Sequence, residues 1–140
     1  MEMNDILQSN NKTYSWEDIN NMTNKIVEYV NKNNLQFEFV IGVPKGGLIL
    51  GVMLSHRLNV PYMELSDFLN KPFSRMKILL VDEIVDRGNT MKRYLRYFDQ
   101  LNTTIITLHY KSHSSIKPDY YVEEVPNDVW CVYPWESEAI

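Results

Sequence analysis

The 140-residue sequence is poor in several residue types, and each shortage excludes a class of protein. Its single cysteine, Cys131, cannot form an internal disulfide, and no paired Cys/His spacing predicts a structural zinc site. Lysine and arginine number 14 against 18 aspartate and glutamate residues, for a formal charge of -4. Without a clustered basic face, this balance argues against holding nucleic acid by bulk electrostatics. We therefore expect a protein of a reducing, cytoplasmic setting that does not bind nucleic acid.

Long hydrophobic runs are also missing. The longest apolar stretch, Leu48 to Leu54, is far shorter than the roughly 20 residues that span a bilayer. The segment Met1 to Asn11 lacks the basic start and the apolar run of a secretory signal. We expect a soluble protein without a membrane segment. At roughly 100 to 200 residues per domain, the chain is long enough for one domain and too short for two full lobes.

The remaining pattern alternates strands with helices. A first helix is predicted to begin with Ser15 as its N-cap and to end at the Asn33-Asn34 pair, with an apolar stripe at Ile19, Met22, Ile26 and Val30. Further helices are predicted over Leu48 to Leu58 and at Met91, Tyr94, Leu95, Phe98 and Leu101. Strands are predicted at Phe37 to Val43, Val60 to Leu65, Lys77 to Val81 and Thr103 to His109, with extended pieces at Tyr120 to Val122 and Val129 to Tyr133. This order predicts a single α/β domain with a central, mostly parallel sheet flanked by helices.

Two unusual turns follow predicted strands, where ligands of parallel sheets bind. One is Pro44 to Gly47, and the other is the acidic turn Asp82 to Thr90. The successive carboxylates of Asp82 and Glu83 can bind sugar hydroxyls or a magnesium-bound ligand. The backbone amides of Asp86 to Thr90 can converge on a phosphate, and Gly88 permits the backbone conformation that this requires.

Taken together, the motifs resemble one known family. Residues 78–90, ILLVDEIVDRGNT, resemble the phosphoribosyl-pyrophosphate (PRPP) signature of the type I phosphoribosyltransferases, and Pro44 to Gly47 resembles their pyrophosphate loop. Residues 107–111 and 128–136 are similar to the purine-salvage branch that handles xanthine, guanine and hypoxanthine. The resemblance covers about residues 37 to 136. It implies that fold, with a core at about 13–110, a small C-terminal base-binding hood at about 111–136, and a cis peptide between Pro44 and Lys45.

The resemblance also implies site residues and a reaction. Trp130 would stack on the purine, the Cys131 carbonyl would approach its 2-position, and Lys111 would donate to its 6-oxo group. Lys45 and Asp86 would be catalytic, Lys45 supporting the departing pyrophosphate and Asp86 assisting proton movement at the purine N7. Asp82 and Glu83 would hold the ribose and Mg2+. The residues implied to bind PRPP and its phosphates are Lys45, Gly46, Asp82, Glu83, Ile84, Val85, Asp86, Arg87, Gly88, Asn89 and Thr90.

Several alternatives stay open at this stage. The connection Ser66 to Met76 is shorter than the family's mobile loop, and Arg87 replaces a common threonine, so a PRPP-binding regulator with little catalysis is the alternative to an enzyme. An aspartyl phosphohydrolase with Asp82 as its nucleophile is disfavoured, because such sites usually have a second acidic residue two positions later and this chain has Ile84 there. Trp135 is assigned to packing rather than ligand contact, His56 is assigned a structural role in its apolar helix, and His109 and His113 have no metal-spaced partner. A homodimer or higher homo-oligomer is expected from the family.

Overall fold

The computed structural model describes residues 10–70 and 75–136 and shows two parallel sheets. Its strands are β1 (Asn11–Thr13), β2 (Phe39–Gly42), β3 (Ile78–Val85), β4 (Thr103–Tyr110), β5 (Tyr120–Glu124) and β6 (Trp130–Val132). Its helices are α1 (Trp16–Lys32), α2 (Gly46–Leu58), α3 (Leu65–Leu69) and α4 (Asn89–Leu95). The main sheet has the order β2-β3-β4-β5 with every neighbouring pair parallel, and β1 pairs with β6 in a small second sheet. The predicted α/β class with a parallel central sheet is confirmed.

Strand β3 separates two hydrophobic cores because successive side chains of a strand point to opposite faces. Leu79 and Val81 belong to one core, which contains the apolar stripes of α1 and α2. Ile78 and Leu80 belong to the other, where Phe68 of α3 stacks on Phe98 with ring centroids 4.5 Å apart. The sheet is thus covered on both faces, which explains why its central strand is almost entirely apolar up to Val81.

Helix α1 follows the sequence closely. The Ser15 hydroxyl accepts from the amide of Asp18 at 3.0 Å, and the Asp18 carboxylate accepts from the amide of Ser15 at 2.8 Å, which completes a capping box. The predicted stripe Ile19, Met22, Ile26 and Val30 is buried, and the helix ends at Asn33. None of the helices within residues 10–70 and 75–136 is long and apolar enough to cross a membrane.

Three predicted elements differ from the structure. Strand β3 does not end at Val81: it continues to Val85, because β4 pairs with it as far as Tyr110. Val60 to Leu65 is not a strand, since a single bridge from Val40 to Tyr62 is formed there and α3 begins at Leu65.

The helix predicted to reach Leu101 is also shorter. Helix α4 ends at Leu95, where the amides of Tyr97 and Phe98 bond to carbonyls three residues earlier. Phe98 still reaches the core, whereas Leu101 is 94% exposed. Strand β1 carried no signal in the sequence because its three residues are exposed. Residues 71–74 of the connection Ser66 to Met76 and residues 1–9 of the N-terminal segment lie outside the described residues.

The C-terminal part of the chain contributes to both sheets. Strand β5 is an edge strand of the main sheet, pairing with β4, while β6 belongs to the small sheet. Both strands lie within the stretch 111–136 that is predicted as a base-binding hood. The division of the chain into a core and a hood therefore stays a prediction.

Candidate functional site

Two adjoining cavities lie at the carboxyl ends of β2, β3 and β4, the edge at which open parallel sheets bind ligands. The large cavity, of about 640 Å³, is lined by Lys45, Gly46, Glu83, Ile84, Asp86, Lys111, Trp130 and Cys131, among others. The small cavity, of about 320 Å³, is lined by the ten residues from Asp82 to Met91. Glu83, Ile84 and Asp86 line both. Every residue that the sequence singled out for the site therefore lies in the wall of one cavity or the other.

The turn between β2 and α2 brings its backbone against the acidic end of β3. The peptide between Pro44 and Lys45 is cis, as the resemblance implies. A Cβ atom added to Gly46 would overlap the carboxylate of Glu83, so the absence of a side chain lets this carboxylate approach the turn. Lys45 is exposed and lines the large cavity. The turn thus presents a cation and free backbone next to Glu83.

Asp82 and Glu83 are carboxylates held in a poorly solvated place. Asp82 is buried, and the amide of Glu83 donates to its Oδ1 at 2.9 Å. Burial, reinforced by the charge of Glu83, raises the pKa of Asp82 well above its usual range. Burial also raises the pKa of Glu83, with a further contribution from the charge of Glu136. An incoming cation would offset the negative charge of these carboxylates, and a sugar hydroxyl could donate a hydrogen bond to them.

These carboxylates fit a cation that arrives with its ligand. Among residues 10–70 and 75–136, no group of three or more His, Cys, Asp or Glu side chains could hold a metal ion by itself. Mg2+ is commonly held by one or two carboxylates together with substrate phosphates, rather than by an all-protein cage. The pair Asp82 and Glu83 matches that donor set.

The loop after β3 forms the small cavity. Gly88 has a φ of 89°, a left-handed conformation that favours glycine. The loop is supported by the segment that follows β4, because the amide of Ser115 donates to the Arg87 carbonyl at 3.0 Å and a Cβ on Gly88 would lie 2.7 Å from the Ser114 Oγ. Arg87, the departure from the family pattern, is exposed. The loop is thus a braced backbone concavity of the kind that binds phosphate.

Asp86 stands between two basic side chains. Nζ of Lys111 donates to its Oδ2 at 3.3 Å, and Nε2 of His113 lies 2.6 Å from its Oδ1. Burial acts to raise the pKa of Asp86, but the hydrogen bond from His113 and the charge of Lys111 outweigh it, so that the pKa is lowered. Asp86 is therefore ionised at neutral pH. Lys111 is itself buried and lines the large cavity.

Aromatic side chains form the opposite wall of the large cavity. Trp130, on β6, is 54% exposed, while Cys131 beside it is buried. Tyr133 and Trp135 stack with ring centroids 4.9 Å apart and ring planes within 3° of parallel. Trp135 thus packs on a neighbour, as predicted, and lines the cavity as well. A planar, largely apolar ligand is the natural occupant of such a wall.

Strand β1 holds this wall in place. The amide of Trp130 donates to the Asn10 carbonyl at 3.0 Å, and the amide of Tyr14 donates to the Val132 carbonyl at 2.9 Å. The Tyr14 hydroxyl also donates to Glu123 of β5 at 2.7 Å. The base-binding strand predicted from the sequence is therefore attached to the N-terminal segment and, through it, to the edge of the main sheet.

A fully buried histidine lies behind the wall. Nδ1 of His109 is 2.8 Å from the Tyr133 hydroxyl, and its Nε2 faces Oε1 of Glu123 at 3.2 Å. Burial lowers the pKa of His109 to about 4, although the charge of Glu123 acts in the opposite direction. The ring is thus neutral. A proton on Nε2, facing the carboxylate, leaves Nδ1 to accept from Tyr133.

Sequence reasoning missed Tyr133 and Glu136, which line the large cavity, and the histidines His113 and His109, which contact residues that line it. Tyr133 and Glu136 fall inside the C-terminal run that resembles the family, so their place beside Trp130 was available as a signal. His109 and His113 were considered only as metal ligands. The signal that could have located His113 is its position two residues after Lys111, in the segment that follows β4.

Comparisons with known proteins agree with this geometry. The model of a family described as phosphoribosyl transferase domain matches residues 73–138. The xanthine-guanine phosphoribosyltransferase of Chromohalobacter salexigens is 23% identical over 142 residues, covering 89% of this chain and 83% of the relative. A purine phosphoribosyltransferase structure from Pyrococcus horikoshii has a TM-score of 0.79 at 23% identity, with 94% of this chain and 97% of that chain covered. The xanthine-guanine-hypoxanthine phosphoribosyltransferase of Helicobacter pylori has a TM-score of 0.74 at 24% identity, covering 90% and 93%. These structures show that the fold is shared.

Proposed function

We propose that this chain is a phosphoribosyltransferase that transfers the 5-phosphoribosyl group of PRPP to a 6-oxopurine and releases pyrophosphate, a proposal supported by the family match over residues 73–138 and by the similarity to xanthine-guanine phosphoribosyltransferases. The observation that carries the proposal is the union of the two cavities. The phosphate-type loop from Asp82 to Met91 opens directly beside a cavity that contains Lys111 and Trp130. A sugar phosphate in the small cavity would thus have its reacting carbon next to a base in the large one.

Recognition of the base rests on Trp130 and Lys111. The exposed indole of Trp130 offers a stacking face, and the ammonium of Lys111 offers donors at the cavity wall. An ammonium can donate to a 6-oxo group but has no lone pair to accept from the 6-amino group of adenine. The proposal is therefore for xanthine, guanine or hypoxanthine as the substrate, with the Cys131 carbonyl near the 2-position.

Binding of PRPP rests on the two turns. The amides from Asp86 to Thr90, with the Thr90 hydroxyl, would hold the 5′-phosphate, and Lys45 with the adjoining backbone of Gly46 would hold the pyrophosphate. Asp82 and Glu83 would hold the ribose hydroxyls and Mg2+. When bound, Mg2+ would supply neutralisation of the diphosphate charge.

Catalysis in this proposal comes from positioning and charge rather than from a protein nucleophile. The reaction replaces the bond from the anomeric carbon to pyrophosphate with a bond to a purine nitrogen, through a transition state with oxocarbenium character. The ionised Asp86 would accept a hydrogen bond from N7–H of the purine, and Lys45 would stabilise charge on the departing pyrophosphate. The aromatic wall would keep the base oriented.

A substrate panel tests the proposal. The purified protein is incubated with PRPP, Mg2+ and xanthine, guanine, hypoxanthine or adenine, and nucleoside monophosphate is measured by chromatography. The expected result is product from at least one 6-oxopurine and far less from adenine. Absence of product from all three 6-oxopurines would overturn the proposal.

The second candidate is a PRPP-binding regulator with little catalysis. It is favoured by one observation: α3 ends at Leu69 and β3 begins at Ile78, which leaves a short segment where a covering loop would have to form. In the same panel, a regulator would bind PRPP in calorimetry and form no nucleotide.

The setting of the protein is part of the proposal. We propose a cytoplasmic protein, supported by the single buried cysteine, and a homodimer or higher homo-oligomer, supported by exposed apolar side chains such as Trp16, Val52 and Leu101. Light scattering coupled to size-exclusion chromatography gives the mass in solution. A monomer at working concentration would exclude the oligomer.

A further inference from the structure

We propose that His113 is a positioning residue for Asp86, an inference that rests on the proposed function. The two side chains meet at 2.6 Å between Nε2 of His113 and Oδ1 of Asp86. Asp86 lines both cavities, whereas His113 lines neither. His113 thus supports the carboxylate from outside the space that a substrate would fill.

The two oxygens of Asp86 have different partners, and this division gives His113 its role. Oδ2 is 3.3 Å from Nζ of Lys111, a long contact to a side chain that itself lines the large cavity. Oδ1 has the much shorter contact to His113. When a base enters and Lys111 turns its protons toward an oxo group, the contact with His113 remains. The carboxylate is then held in one orientation without the lysine.

His113 is itself held in place by the backbone around it. Its amide donates to Oδ1 of Asn127 at 3.2 Å. On either side along the chain, the amide of Lys111 donates to the Val85 carbonyl and the amide of Ser115 donates to the Arg87 carbonyl, at 3.1 and 3.0 Å. The segment from Lys111 to Ser115 is therefore bound to the backbone on both sides of Asp86. A rigid mount of this kind is what a positioning residue needs.

The basic groups around Asp86 come from this same segment, which follows β4. His113 and Lys111 are the basic groups whose contacts lower the pKa of Asp86, against the effect of burial. Removing the imidazole takes away the shorter of these contacts. The pKa of Asp86 would then rise toward its ordinary value of 3.8, and the carboxylate would lose its orientation and, in acidic solution near that value, part of its ionised population.

The experiment compares three variants with the wild-type enzyme. His113→Ala removes the contact, and His113→Gln keeps a nitrogen donor that can reach Asp86. His56→Ala is the matched control, because His56 is an exposed histidine on α2 that lines neither cavity. For each, kcat, the KM for guanine and for PRPP, the pH profile and the Tm are measured with saturating Mg2+.

The expected result is a loss in kcat of at least about tenfold for His113→Ala, with the KM for PRPP and the Tm nearly unchanged. The acidic limb of kcat/KM should move to higher pH, and His113→Gln should recover most of kcat. His56→Ala should match the wild type. A His113→Ala enzyme within about twofold of wild type at all pH values, or a His113→Gln enzyme as impaired as His113→Ala, would overturn the inference.

The failure of this inference is distinct from the failure of the proposed function. If the wild type forms nucleotide and His113→Ala does so equally well, only the role of His113 is overturned. If the wild type forms no nucleotide from any 6-oxopurine, the proposed function is overturned, and the inference falls with it.

Discussion

Neighbouring glycines in the turn after β2 meet different surroundings, although the sequence makes them look equivalent. A Cβ on Gly46 would overlap the side-chain carboxylate of Glu83, which can move. A Cβ on Gly47 would lie 2.5 Å from the carbonyl oxygen of Val81, which belongs to the backbone of β3. The missing side chain of Gly46 therefore leaves space for the Glu83 carboxylate, and that of Gly47 leaves space for the backbone of β3.

This difference predicts opposite effects of the same substitution. Gly46→Ala should displace Glu83, leave the free energy of unfolding within about 1 kcal/mol of wild type, and lower kcat/KM at least tenfold. Gly47→Ala should lower the free energy of unfolding by about 2 kcal/mol or more, because a backbone contact cannot relax. Urea denaturation and steady-state kinetics measure both. Equal loss of stability in the two variants would contradict this account of the turn.

At Trp130 the prediction concerns the affinity for the purine base. Trp130→Ala removes the stacking face and should raise the KM for the purine about tenfold, since stacking of a base on an aromatic side chain is worth about 1–3 kcal/mol. The affinity for PRPP, measured by calorimetry, should be unchanged. Tyr97→Ala is the control, because Tyr97 is similarly exposed and lines neither cavity. An equal loss for base and PRPP would argue against a stacking role.

Among the elements, α1 is the one whose start and buried face follow from its own stretch of sequence. The capping box at Ser15 and the stripe from Ile19 to Val30 lie within one stretch of sequence, and both were predictable from it. The end of β3 was not: Asp82 and Glu83 look like a turn, but pairing with β4 keeps them in the sheet. The pairing of β1 with β6 could not be predicted either, because it depends on contacts between segments at opposite ends of the chain.

Ser15 allows the contribution of the cap to be measured. Ser15→Ala leaves the amide of Asp18 without its side-chain acceptor and should lower the free energy of unfolding by about 1 kcal/mol. Ser15→Asp, which keeps an acceptor at this position, should retain most of the stability. Urea titrations of the two variants give the comparison. A Ser15→Asp protein as unstable as Ser15→Ala would show that the hydroxyl matters for another reason.

In the candidate site, most of the residues that line the cavities could be predicted from the sequence, and the residues that support them could not. The cavity-lining residues Lys45, Asp86 and Lys111 could be chosen from the sequence, because they lie in short motifs that resemble those of a known family. The residues behind them could not. His113 and His109 take their places through the neighbours that the fold supplies, Asp86 for one and Tyr133 for the other.

For the whole molecule, the buried His109 makes stability depend on pH. Its pKa is about 4 in the folded protein, against an ordinary value of 6.5. Between these values the unfolded chain binds a proton that the folded protein does not, so acidification favours unfolding. The contribution of this residue to stability should fall by about 3 kcal/mol as the pH drops from neutrality to about 4. The facing groups Glu123, Lys12, Tyr14 and Tyr133 are part of the environment that sets this value.

The check is the pH dependence of unfolding in His109→Gln. Because other groups titrate in the same range, the informative quantity is the difference between wild type and variant at each pH. As the solution is acidified, the free energy of unfolding of the wild type should fall more than that of His109→Gln. The control His56→Gln should follow the wild type. Parallel curves for wild type and His109→Gln would contradict the assignment.

The parallel pairing of β1 with β6 also determines the order in which the two sheets can form during protein synthesis. Strands β2, β3 and β4, with the turns that follow β2 and β3, emerge from the ribosome well before Trp130. Strand β1 emerges first of all, but it has no partner until Val132 has left the exit tunnel. A nascent chain can therefore assemble its main sheet early, whereas the aromatic wall forms only after β6 and Trp135 have been added. A ribosome stalled before β6 would carry the loop from Asp82 to Met91 without the aromatic wall beside it.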